Sequence, residues 1–172
     1  MDLIKPTLDD DGVMDFVATG LVVLEGVIDR EFNRRCNDLD RGNCDAFIAA
    51  DDFTHKVLLH PQVAGVVRSL LGADFLVPRG GHHHYFKDPH LGQTWHSDGL
   101  SGSGYDITEL QCYYYPHPVA IADGPTMALP GSHCRAVDRE AIAHYGDIRG
   151  QVSLTVPAGT IVLTRYGIWH KA

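Results

Sequence analysis

Apolar residues keep one rhythm before Gly72 and another after it. Before it they return every three or four positions, the period of a helix that buries one stripe. Val13, Met14, Phe16 and Val17 form such a stripe over 7–19. Thr7 and Asp10 make a capping-box-like start and Gly20 an end. Leu21-Val22-Val23-Leu24 reads as a short buried strand. Asp29 caps a second helix with Phe32, Cys36 and Leu39 on one side, stopped near Gly42. Pro61 opens a third, where Val63, Val66, Val67 and Leu70 keep helical spacing until Gly72.

After Gly72, glycine and proline punctuate short runs. Phe75-Leu76-Val77 and Gly81 to Lys87 read as strands, as do Glu109 to Tyr115 and Thr126 to Leu129. Asp138 to Tyr145 reads as one short helix. Gln151 to Val156 alternates, with Val152, Leu154 and Val156 inward, and Pro157-Ala158-Gly159 turns the chain into a strand over Thr160 to Thr164. Residues 88–94 and 100–108 read as loops. Many short strands joined by turns predict a mainly β sandwich or barrel with helices packed outside it.

At 172 residues the chain suits a single domain with a substantial core, 1–72 as a helical lead-in and 73–172 as the β core. A net charge of −8 argues against nucleic acid or an anionic membrane as the main partner. No apolar run is long enough for a transmembrane helix, and Met1 to Pro6 lack a signal-peptide pattern. The four cysteines form no Cys-x-x-Cys pair, so reduced thiols in a cytoplasmic protein are expected.

Chemistry concentrates in Gln93-Thr94-Trp95-His96-Ser97-Asp98-Gly99. In extended chain, residues two apart share a face, so His96 and Asp98 present an imidazole and a carboxylate side by side. Two imidazoles and one carboxylate on one face of a metal leave its other positions open, the arrangement of non-haem Fe(II) oxygenases. His170, in Tyr166-Gly167-Ile168-Trp169-His170, is the best candidate for the second imidazole.

Taken together, the His-x-Asp stretch, Asp123-Gly124-Pro125-Thr126-Met127-Ala128-Leu129-Pro130-Gly131-Ser132-His133, and Pro157-Ala158-Gly159-Thr160 leading to Trp169-His170 resemble the phytanoyl-CoA dioxygenase family. The resemblance covers nearly the whole chain, including the helix-strand-helix lead-in. It implies a double-stranded β-helix (a jelly-roll, cupin-like core) and a dioxygenase using Fe(II), 2-oxoglutarate and O2. It makes His96, Asp98 and His170 the iron ligands. The family's reaction hydroxylates an unactivated C–H bond of a small molecule and releases succinate and CO2. Related halogenases carry a small residue at the carboxylate position, so Asp98 points to hydroxylation. Gln111, Tyr113 and Tyr115 share a strand face that in the family lines the pocket, which implies contacts of Gln111 and Tyr113 with the cosubstrate.

Other features read differently. Gly131-Ser132-His133 reads as a turn whose hydroxyl satisfies backbone groups, and Trp95 and Trp169 as packing residues. His82 and His84 share a strand face, and Asp88 follows. That makes a rival, cupin-like metal-binding barrel, but Val162 stands where its second motif would want a histidine. The family places an arginine beyond the distal histidine to pair with the far carboxylate of 2-oxoglutarate, whereas here Arg165 precedes His170. The expectation is therefore a fragment lacking its last strands, with a non-catalytic barrel that binds a small ligand or partner as the alternative. Substrate and oligomeric state are not legible.

Overall fold

The structure, a computed structural model, describes residues 4–39, 44–84, 91–98, 106–135 and 138–172. Six α-helices and six strands alternate unevenly along it: α1 (Asp10–Thr19), β1 (Leu21–Leu24), α2 (Arg30–Asn37), α3 (Cys44–Ile48), α4 (Asp51–Phe53), α5 (Pro61–Leu71), β2 (Leu110–Tyr115), β3 (Met127–Leu129), α6 (Arg139–Ile142), β4 (Val152–Ser153), β5 (Thr160–Arg165) and β6 (Trp169–Lys171). A single π-helical turn, Thr54–Leu58, joins α4 to α5. The strands form two antiparallel three-stranded sheets, ordered β1-β5-β2 and β4-β3-β6. The mainly β expectation thus becomes a mixed helix and sheet architecture.

β5 is the pivot. Ile161 and Leu163 on one face join Ile28, Phe32, Phe53, Val57, Val63 and Val66 in the core between sheet and helices. Burying each such side chain contributes about 1.5–3 kcal/mol. The rings of Phe32, Phe47 and Phe53 pack among themselves and against Tyr114, with centroids 5.4–6.4 Å apart. One polar link crosses this layer: Tyr114 Oη donates to Asn33 Oδ1 (2.6 Å), and Asn33 Nδ2 donates to the Ile28 carbonyl (3.0 Å). Gly159 sits against that link at φ +79°, and a Cβ there would lie 2.5 Å from the Ile28 carbonyl oxygen. Thr160, Val162 and Thr164 occupy the other face of β5 by strand alternation. In register with them, Gln111 lies opposite Thr164 and Tyr113 opposite Val162.

Several expectations change. α1 starts at Asp10, capped by the Asp9 carboxylate accepting from Gly12 N–H (2.9 Å), while Thr7 lies outside it and donates its N–H to Ser69 Oγ. Its buried stripe is narrower than the spacing predicts: Phe16 is buried, but Met14 is 63% exposed. β1 is half-buried, and α2 ends at Asn37 with Asp38 as its cap. Gly42 lies outside the described residues. Residues 75–77 and 81–84 are not strands; they find no partner strand among the described residues, and 85–90 lie outside them. The 138–145 helix shortens to α6, begun by Asp138. The 151–156 strand shortens to β4, where Val152 faces solvent while Leu154 and Val156 are buried.

Candidate active site

His96 and His170 come from distant stretches and meet as an antiparallel bridge. His96 N–H donates to the His170 carbonyl (3.0 Å), and His170 N–H returns the bond (2.8 Å). Directly opposed residues bring their side chains together, and the two imidazole centroids lie 4.3 Å apart. β6 holds His170 at the sheet edge through its register with β3, where Ala128 lies opposite His170.

Each ring is oriented by a backbone carbonyl. His96 Nδ1 lies 2.8 Å from the Thr94 carbonyl and His170 Nδ1 3.1 Å from that of Ile168. A carbonyl only accepts, so each Nδ1 carries a proton, and in the neutral imidazole that leaves the Nε2 lone pair to ligate. Both Nε2 atoms face Asp98: His96 Nε2 is 4.0 Å from Oδ1 and His170 Nε2 3.5 Å from Oδ2. Burial, opposed by the bond to Ile168, holds the His170 imidazole below its usual pKa, which keeps it neutral and able to ligate. Two ligand atoms at right angles on one small cation stand about 3 Å apart, from bond lengths near 2.1 Å. The observed 3.5 and 4.0 Å spacings to Asp98 would contract by about 0.5–1 Å to reach that. Donor atoms of His96, Asp98 and His170 all lie within 4.8 Å of one another, the one such cluster found among the described residues. Both histidines are buried, whereas the Asp98 side chain is 42% exposed, so the cluster opens on the Asp98 side.

The expected pocket strand contributes directly. Gln111 Nε2 donates to Asp98 Oδ2 (2.6 Å), and Gln111 Oε1 accepts from Tyr113 Oη and Thr164 Oγ1 (3.4 Å each). Tyr113 stands edge-on to His170, with centroids 6.1 Å apart. Burial, reinforced by the Asp98 charge, pushes the Tyr113 phenol above its usual pKa, so it stays a donor. Sequence reasoning missed Thr164. The available signal was a threonine inside a continuously buried strand, where a hydroxyl requires a partner.

The glycine-serine-histidine turn braces the site. Ser132 Oγ accepts from Trp169 N–H (2.8 Å) and donates to the Leu129 carbonyl (2.6 Å), fixing β6 one residue before His170. His133 lies at the α1–β1 corner, Nε2 donating to the Val17 carbonyl (3.1 Å) beneath Gly20. Trp95 is fully buried, with Lys171 Nζ 5.1 Å from its ring. Arg165 shares the Ile161–Leu163 face of β5, away from Gln111, and its guanidinium donates to the Asp106 carbonyl (3.3 Å). His82 and His84 are exposed, with rings 6.4 Å apart, and Asp88 of the rival site lies outside the described residues.

Comparison with known proteins adds the family. No curated protein matches the sequence. In fold the chain is similar to EctD from S. alaskensis with bound Fe (TM-score 0.66, 19% identity, 95% of this chain and 70% of that one). It is also similar to HygX from Streptomyces hygroscopicus with nickel and 2-oxoglutarate bound (0.64, 16%, 96% and 79%). A third likeness is to SnoK, a non-haem α-ketoglutarate-dependent carbocyclase from nogalamycin biosynthesis (0.63, 17%, 96% and 79%). These likenesses establish the fold. The phytanoyl-CoA dioxygenase family model matches residues 20–172, a span that includes the bridged histidines, Asp98 and the serine brace, and the chain belongs to that family.

Proposed function

We propose that the chain is an Fe(II)- and 2-oxoglutarate-dependent dioxygenase, folded as one double-stranded β-helix domain over 1–172, that hydroxylates an unactivated C–H bond of a small organic molecule. One observation carries this reading: two Nε2 atoms and a carboxylate converge, with both Nδ1 protons already committed to carbonyls. That donor set fits a divalent first-row metal with open positions, and its nitrogen and oxygen donors favour iron over thiolate-seeking ions. His96, Asp98 and His170 would hold the metal. Bound Fe(II) supplies the oxidising chemistry, in which O2 gives one oxygen atom to the substrate C–H bond and the other to 2-oxoglutarate, which leaves as succinate and CO2.

The protein's own part is binding and exclusion. The carbonyls of Thr94 and Ile168 fix the rings, and the burial of both histidines keeps that side of the cluster dry. Gln111 and Tyr113 lie on the face where we place the cosubstrate. Retention of Asp98 as third ligand favours hydroxylation over halogenation. A small polar substrate is supported by what the structural neighbours hold: EctD has been crystallised with 2-oxoglutarate and 5-hydroxyectoine, and HygX with hygromycin B. The four cysteines are unpaired, which supports action in the cytoplasm, and no helix among the described residues is long and apolar enough to cross a membrane.

The test is anaerobic Fe(II) titration followed by succinate measurement with 2-oxoglutarate and O2. The wild type is expected to bind one iron and form succinate, and His96→Ala to lose both. Equal iron stoichiometry in the two proteins would remove the site.

A further inference from the structure

Asp98 is the weakest-held member of the cluster. The two histidines are buried and bridged backbone to backbone, whereas the Asp98 side chain is half-exposed. Gln111 Nε2 donates to its Oδ2 at 2.6 Å. Gln111 in turn sits on β2, locked by antiparallel register to β5. Its amide has one workable orientation. Tyr113 Oη and Thr164 Oγ1 both reach Oε1, and a flipped amide would set its oxygen against the carboxylate.

We propose that Gln111 is a positioning residue for the metal ligand Asp98, aimed by Tyr113 and Thr164. The inference rests on the metal reading above. The amide engages Oδ2 and leaves Oδ1 free to ligate, so the carboxylate occupies one coordination position. A two-oxygen carboxylate would take a fourth position, leaving two where the cosubstrate and O2 need three. The register of β2 against β5 thereby reaches a half-exposed carboxylate through the Gln111 amide. Hydrogen-bond partners behind metal ligands commonly change metal affinity 10- to 100-fold when removed.

The experiment is a double-mutant cycle read by Co(II) affinity and by the visible Co(II) spectrum of the 172-residue chain. Gln111→Leu is expected to weaken Co(II) binding about 10-fold or more and to change the spectrum. In an Asp98→Ala background the same substitution is expected to cost nothing further. Tyr113→Phe and Thr164→Val, which leave the amide in place, are expected to give smaller losses in the same direction and keep the test informative if Gln111→Leu fails to fold. Wild-type affinity and spectrum in Gln111→Leu, or in both hydroxyl variants where that protein does not fold, overturn the proposal. So does an equal loss with and without Asp98. If His96→Ala binds Co(II) as tightly as wild type, the metal reading fails, and this inference with it. If His96→Ala loses the metal while Gln111→Leu keeps it, only the positioning role fails.

Discussion

Ser132→Ala isolates the brace behind His170. In the native chain the hydroxyl accepts the Trp169 N–H at 2.8 Å and donates to the Leu129 carbonyl at 2.6 Å, and Ser132 is 9% exposed. Alanine fills nearly the same volume, so little packing is lost. What is lost is a partner for a donor and for an acceptor at the β3–β6 junction, where β3 contributes only three residues. A buried group left without its partner costs about 1–3 kcal/mol. Trp169 is half-buried, so its N–H recovers some hydration, and about 2 kcal/mol is expected in total. For a chain of this size each kcal/mol moves the midpoint by roughly 2–4 °C, so the metal-free protein should melt about 4–8 °C lower. Because Trp169 precedes His170, Co(II) affinity should fall as well, while Ser132→Thr, which keeps the hydroxyl, should recover most of both losses. Calorimetry of the metal-free proteins and Co(II) titration measure the two effects. A Ser132→Ala midpoint within 1 °C of wild type, with unchanged Co(II) affinity, would refute the bracing role.

On the proposed role of Asp98 as a metal ligand, Asp98→Ala should abolish succinate formation while leaving metal-free stability unchanged or slightly raised, since its half-exposed carboxylate is no core residue; loss of cooperative melting without metal would contradict this. Gly20→Ala should destabilise by at least about 1–2 kcal/mol, because φ is +77° and the new Cβ would lie 2.2 Å from His133 Nδ1; the double variant with His133→Ala should recover the steric part, and a purely additive result would rule out the clash. His60, His133 and His170 are all held below the usual imidazole pKa of 6.5, chiefly by burial. The unfolded chain therefore binds protons first, so stability present above pH 6.5 should be lost as pH falls below it; urea midpoints that stay level from pH 7.5 to 5.5 would contradict this. Burial, reinforced by Cys44, pushes the Cys36 thiol up to about 11, so its alkylation at pH 8 should be far slower than that of a free thiol.

What could be read from the sequence divides by the range of the interaction that decides it. Caps are local, and Asp29, Gly20, Pro61 and Gly72 mark helix limits in sequence as in structure. Even there the decisive bond can shift, as when Asp9 rather than Thr7 caps α1. The grouping of His96, Asp98 and His170 was legible because His-x-Asp encodes its own geometry and the later motifs supplied the partner. Strand formation is not local. Phe75-Leu76-Val77 has strand composition but gains no ladder among the described residues, so composition alone misleads there. The π-turn at Thr54–Leu58 carries no glycine or proline to announce it.

The Gln111–Asp98 contact shows where that boundary falls. Alternation placed Gln111, Tyr113 and Tyr115 on one face, and strand geometry alone suffices for that. What Gln111 touches depends on the register of β2 against β5, which sets it opposite Thr164, and on where the 91–98 segment crosses that face. Neither is encoded within β2. A local reading therefore assigns Gln111 to a cosubstrate, while the folded chain first offers it a carboxylate 2.6 Å away. The remaining clue lay in β5: of the buried run Thr160–Thr164, the two threonines fall on the site face, and the second supplies the hydroxyl on Gln111 Oε1. A polar side chain within a buried run thus marks the point where the core passes into the site.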